Sequence, residues 1–263
     1  MPCARFLALV PLIGLLIGCA ATPPPRDAHV PDFARRPYEP FNRTAAVAIA
    51  LGEWRLFGSP VADQDPRDRV PVDPELKPER LPGLWQRVGE YWWLGLDAND
   101  PARRWTGKHD ATGRVFPAAD DGEFAWSAAF VSYVMRIAGA GPRFPYSASH
   151  SVYIDAARQV SLGQRRDVAL SAERPDAYAP VPGDLVCFGR AAAGDLRFED
   201  LPAGRFTSHC AIVVASAPGT LSIVGGNVDD AVALTHVPIT PDGKLAFDPR
   251  YPWAVVLRVL YDY

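Results

Sequence analysis

Apolar positions recur at helical spacing in the first part of the chain and at strand spacing after Pro182. Asn42 reads as a helix N-cap. Beyond it, Val47, Ala50, Leu51, Trp54 and Phe57 fall on one helical face, and Gly58 sits where a C-cap belongs. The stretch from Ser59 to Pro82 carries Pro60, Pro66, Pro71, Pro74 and Pro78 among many charges, which predicts an irregular surface loop. A second helix is expected from Gly83 to Leu96, burying Leu84, Val88, Tyr91, Trp92 and Leu96. Residues 97–120 read as another loop, closed by the capping signal Asp120-Asp121. Phe124 to Ala138 is apolar nearly all round, so a helix there belongs at the centre of the fold. It stops at Gly139-Ala140-Gly141-Pro142, and a shorter helix is expected over Ser149–Val160.

The second part predicts five strands: Asp184–Phe188, His209–Ala215, Leu221–Val224, Val232–Pro238 and Trp253–Leu260. Short connections between consecutive strands favour antiparallel pairing, and helices followed by a sheet make an α+β fold.

The N-terminus has a separate character. Arg5 precedes an apolar run from Phe6 to Ile17, too short to span a bilayer but suited to an export signal. Residues 20–40, rich in proline, arginine and aspartate, read as a flexible tether. The net charge of -3 and 48% apolar content are ordinary for a globular protein, and no basic stripe points to nucleic acid. Of four cysteines, Cys187 and Cys210 fall in apolar strands, where they are either bridged or two buried thiols. No His-Glu-x-x-His, Cys-x-x-Cys or phosphate-binding glycine loop is present, so neither metal nor cofactor is expected.

Two resemblances add to this reading. Leu16-Ile17-Gly18-Cys19, followed by Ala20 and Pro23-Pro24-Pro25, resembles a bacterial lipobox. It implies a signal over 1–18, lipidation of Cys19 and an anchor on the periplasmic side of the outer membrane. The second resemblance covers about Asp121 to Leu260. Trp126-Ser127-Ala128-Ala129-Phe130-Val131 opens the buried helix, Pro182-Gly183-Asp184-Leu185-Val186 begins a strand, and Ser208-His209-Cys210-Ala211-Ile212-Val213-Val214 forms the next. Gly225-Gly226-Asn227 ends the strand after that. In this order the motifs resemble papain-like cell-wall peptidases of the NlpC and CHAP type. The run from Ser127 to Arg136, with Phe144-Pro145-Tyr146-Ser147-Ala148-Ser149-His150, more closely resembles a bacterial family of unknown function placed near that group. The implied organisation is a tether over 19–40, a helical extension over 41–116 and a papain-like domain over 117–263.

The resemblance implies a nucleophile at Ser127, a general base at His209 and an orienting group at Asn227, acting on amide bonds of peptidoglycan or another peptide. Serine stands where those peptidases have cysteine. A helix N-terminus supplies at most ~2 kcal/mol, about 1.5 pKa units, which matters for a thiol near ~8.5 and little for an alcohol. Ser127 therefore has three readings: a serine nucleophile, the relic of a lost cysteine in a binding module, or a small residue at a helix start. On its strand His209 shares a face with Ala211 and Val213, and small Ala211 is expected to leave room for the Ser127 helix. Asn227 is either the orienter of His209 or a turn former after Gly-Gly, with Asp229 and Asp230 as nearby substitutes. Tyr146 and His150 are candidate substrate contacts. His150 is also an alternative base, or a solvated residue behind a Ser149 cap. Trp92, Trp93 and Trp105 are either groove or core residues.

Overall fold

The computed structural model describes residues 40–70 and 72–261. The expected signal (1–18), the lipidation site Cys19 and the tether over 19–40 all but entirely precede the described residues.

Helix α1 spans Arg43–Leu56; Asn42 caps it by accepting from the Ala45 amide at 3.1 Å, and Gly58 leaves it at φ 86°. Helix α2 spans Leu84–Gly95 and starts where Gln86 Oε1 accepts from the Gly83 amide at 2.7 Å. Helix α3 spans Ser127–Ile137 and is buried from Ser127 through Met135. Asp120-Asp121 does not cap it. Those residues lie in a 3₁₀ segment, Ala118–Phe124, which ends before the chain turns at Trp126 into α3. Helix α4 spans His150–Ser161. The proline-rich stretch holds short 3₁₀ turns and is not only surface: Glu79 and Arg80 are buried.

The sheet has six strands where the sequence led us to expect five. They are β1 Leu170–Glu173, β2 Leu185–Gly189, β3 Ser208–Ala217, β4 Thr220–Val228, β5 Ala231–Pro238 and β6 Trp253–Val259. The order is β1-β6-β2-β3-β4-β5, and every neighbouring pair is antiparallel. The additional strand, β1, is a four-residue edge strand paired with β6.

Alternation along the strands divides the core in two. Cys187, Cys210, Ile212, Val224, Val255 and Leu257 face the helices. Val186, Ala211, Val213, Ile223, Tyr251 and Val256 face the opposite side, beneath loops. Cys187 and Cys210 oppose one another on β2 and β3 and form a disulfide. The described residues belong to one compact unit, and α1 and α2 share the helix-side core with α3, so the boundary expected near 116 marks no break in packing.

Two networks of buried, hydrogen-bonded polar groups lock this arrangement. Asp184, fully buried at the start of β2, accepts from Arg43 (2.9 Å), Tyr178 (2.9 Å) and the amides of Val181 (3.1 Å) and Val259 (3.0 Å). The aspartate of the Gly-Asp-Leu-Val motif thus joins α1 to the sheet. Glu53 of α1 accepts from Arg87 Nε and Tyr91 Oη of α2, each at 2.7 Å, and Arg87 reaches Tyr133 Oη of α3 at 2.7 Å.

Glycine sets how closely α3 can approach. A Cβ at Gly95 would lie 2.6 Å from Ala129 O, and one at Gly226 of β4 would lie 2.5 Å from Phe130 Cβ. Gly226→Ala is therefore expected to destabilise the fold by about 1–3 kcal/mol through overpacking. Chemical denaturation of the variant beside wild type measures this, and an unchanged midpoint would contradict it.

Candidate functional site

Ser127 and His150 are the first residues of α3 and α4, and these two helix starts converge. Ser127 Oγ is hydrogen-bonded to His150 Nε2 at 2.7 Å. One turn further along α4, Tyr153 Oη is hydrogen-bonded to His150 Nδ1. All three side chains are buried, with Ser127 and His150 retaining a small exposed edge.

The supports of this array come from several elements. Ser132 Oγ donates to Ser147 O at 3.0 Å and accepts from the Ser147 amide at 3.2 Å, which fixes the segment leading into α4 against α3. Trp126, immediately before Ser127, is anchored by its indole N–H donating to Glu79 Oε2 at 2.5 Å. Asp155 accepts from the amides of Ala203 and Gly204 at 3.0 and 2.6 Å and holds that loop beside the groove.

Ser127 and His150 lie in the wall of a groove of about 820 Å³. Its lining mixes serines (Ser147, Ser208), aromatics (Trp105, Phe206) and charges of both signs, including Glu123 and Arg205. Trp92 reaches the groove but is itself core, whereas Trp93 is exposed, with the Arg103 guanidinium 4.0 Å from its ring centroid.

The electrostatics keep the array neutral. Burial drives the His150 pKa well below 6.5, with His209 and Arg190 adding to the effect. Burial likewise raises the Tyr153 phenol well above its usual range. Two tautomers satisfy the pair of bonds. With Nδ1 accepting from the phenol, Nε2 carries the proton and donates to Ser127. With Nδ1–H donating to the phenol oxygen, Nε2 accepts from the Ser127 hydroxyl, and only this form is a general base.

The expected pairing of Ser127 with His209 is corrected here, because the hydroxyl is bonded to His150. The reason is strand parity. Ala211 and Val213 face away from the helices, and His209 shares their side, its ring 5.5 Å from that of Phe188. The small Ala211 therefore makes no room for α3. His209 and Asn227 line a second cavity, and no hydrogen bond joins them among the described residues. The two histidine rings still approach, with centroids 5.5 Å apart. His150 is neither solvated nor behind a serine cap, since Ser149 makes no side-chain cap. Tyr146 does not line the groove; Arg136 stacks on its ring at 3.6 Å and Phe144 packs beside it. Asp229 and Asp230 face Arg69 and Lys77. Tyr153 escaped the sequence reading, although its position three residues after His150 on a helix was the available signal.

A family model described as "Uncharacterized protein conserved in bacteria (DUF2272)" matches residues 79–259. That is well over half of the chain. This protein belongs to the DUF2272 family. The matched span runs from Glu79, the anchor of Trp126, to the end of β6, and includes Ser127, His150 and Tyr153. No curated protein and no solved structure matches this DUF2272 chain. Among its described residues, no cluster of three or more His, Cys, Asp or Glu side chains is placed to hold a metal ion.

Burial pushes the Glu79 pKa up to about 8, with Asp230 and Asp121 contributing in the same direction. The folded carboxyl thus keeps its proton where an unfolded one, near 4.5, has lost it. Stability is full below the unfolded value and falls as pH rises from about 4.5 to about 8, by at most about 1.4 kcal/mol per pH unit. Glu79→Gln, whose amide oxygen can still accept from Trp126, is expected to match wild type near the lower end and exceed it near the upper end. Thermal melts across that window test this, and parallel profiles would rule it out.

Proposed function

We propose that this protein is a serine hydrolase of amide bonds on a papain-like frame, anchored in the bacterial envelope and acting on peptidoglycan peptides. The observation that carries the reading is the 2.7 Å hydrogen bond between Ser127 Oγ and His150 Nε2 in the wall of an open groove. The papain-like assignment is supported by a nucleophile candidate heading a buried helix packed on an antiparallel sheet. The location is supported by the Cys187–Cys210 disulfide, which suits an oxidising compartment, and by the lipobox-like sequence ending in Cys19. No helix among the described residues is long and apolar enough to cross a membrane, and attachment through Cys19 requires none.

In this mechanism Ser127 attacks the substrate carbonyl carbon while His150 Nε2 takes its proton. The oxyanion is received by first-turn amides of α3, which carry no side-chain cap. His150 then returns the proton to the leaving amine as the C–N bond breaks, leaving an acyl ester on Ser127. Water, activated by the same imidazole, hydrolyses the ester and restores the serine. His150 takes the role that the resemblance had placed on His209.

A second reading is favoured by Tyr153. A neutral phenol at Nδ1 lacks the charge with which a carboxylate steadies an imidazolium, and donating to Nδ1 leaves His150 in the tautomer that cannot act as a base. On that reading the groove binds peptidoglycan or a protein partner without cleaving it.

Digestion of purified peptidoglycan by the protein separates the two. Catalysis predicts release of soluble muropeptides, reduced by about 10³ or more in Ser127→Ala and in His150→Ala. His209→Ala is expected to retain activity within about tenfold. Muropeptide release that survives Ser127→Ala would exclude the serine mechanism. Co-sedimentation with peptidoglycan and no release would select the binding reading.

A further inference from the structure

We propose that the second cavity, on the loop-covered face of the sheet, is a binding site for a small carboxylate with an apolar body. It encloses about 270 Å³, close to the lower end of small-molecule sites. Its walls are Phe188, Ala211, Ile223, Tyr251 and Pro252. Its polar lining includes Arg190 just beyond β2, His209 at the start of β3 and Asn227 near the end of β4, together with Arg69, Thr235 and Arg250.

None of the Arg190, His209 and Asn227 side chains is hydrogen-bonded within the described residues, and Arg190 makes no ion pair there. His209 is only 5% exposed, and with no protein partner its ring nitrogens are left available to a ligand. The other cations of the lining are already neutralised: Arg69 pairs with Asp229, and Arg250 with Asp248 at 2.7 Å. Arg190 is therefore the charge left over for a ligand, and a carboxylate is the planar acceptor that its guanidinium fits.

The backbone is shaped around the same place. A Cβ at Gly225 would lie 2.8 Å from His209 Nε2, so the seat of the imidazole depends on the missing side chain. Between Gly225 and Val228 the pairing of β4 with β5 shifts, and Asn227 sits in the left-handed region at φ 55°. Asparagine tolerates that conformation, which Asp229 and Asp230 share in the turn between β4 and β5. The site stands apart from the Ser127 groove and does not depend on hydrolysis. His209 connects the two through its ring contact with His150.

The test is an NMR titration of the histidine ring signals with 3-phenylpropionate, the His209 signal being identified by its loss in His209→Gln. The expected result is a saturable shift of the His209 signal in the millimolar range or tighter, in wild type and in Ser127→Ala alike. Arg190→Gln, at an exposed position that leaves the core intact, is expected to weaken binding about tenfold or more. The uncharged 3-phenylpropanamide is expected to bind correspondingly weakly. Absence of a saturable shift would overturn the proposal. So would equal binding of acid and amide, undiminished binding by Arg190→Gln, or a response confined to His150.

Discussion

Helix α3 gives almost no surface to solvent from Ser127 through Met135, so each of its neighbours has to make room for it. Gly95 does so on α2 and Gly226 on β4, both by lacking a Cβ where backbone or aromatic atoms lie within van der Waals distance. The consequence reaches the candidate site directly. Ser127 is the first residue of this fully packed helix, and a displacement of α3 would carry its hydroxyl away from His150. Core packing and site geometry are thus one constraint, met largely by side chains that are absent.

Burial on this scale leaves the polar groups little freedom in protonation. The Ser127–His150–Tyr153 chain is buried and uncharged, and Glu79 holds its proton under the Trp126 indole. Desolvation drives each shift, pushing acids up and imidazoles down. Elsewhere buried acidic side chains are paired with arginines, as Asp184 with Arg43 and Glu53 with Arg87. The site therefore depends on the direction of hydrogen bonds, and the tautomer of His150 decides whether Ser127 faces a donor or an acceptor.

The sheet separates two cavities of different character. The groove on the helix side is large, lined by serines and charges, and bounded by loops from α2, α4 and the segment before β3. The cavity on the loop side is smaller and apolar, with a single unneutralised arginine. His209 lies at the junction, its ring on the loop side yet within 5.5 Å of the His150 ring. Burial and the nearby Arg190 charge keep both imidazoles neutral in the resting protein. His209 is held down to about 3.

Much of this was legible in the amino-acid order. The Asn42 cap, the all-apolar run that becomes α3, and five of the strands follow from local periodicity and turn residues, because those signals depend only on neighbours a few positions apart. The family-like motifs singled out Ser127, His209 and Asn227, and the parity of His209 with Ala211 was read correctly. Which face of the sheet that parity served was not legible, because alternation groups residues without saying where the helices will pack. Strand β1 was missed since four residues at an edge, held by β6, carry too short a pattern. The partner of Ser127 was likewise decided in three dimensions. Two helix starts, separated by 23 residues, are brought together by packing on a shared core, and only that packing places His150 Nε2 on the serine.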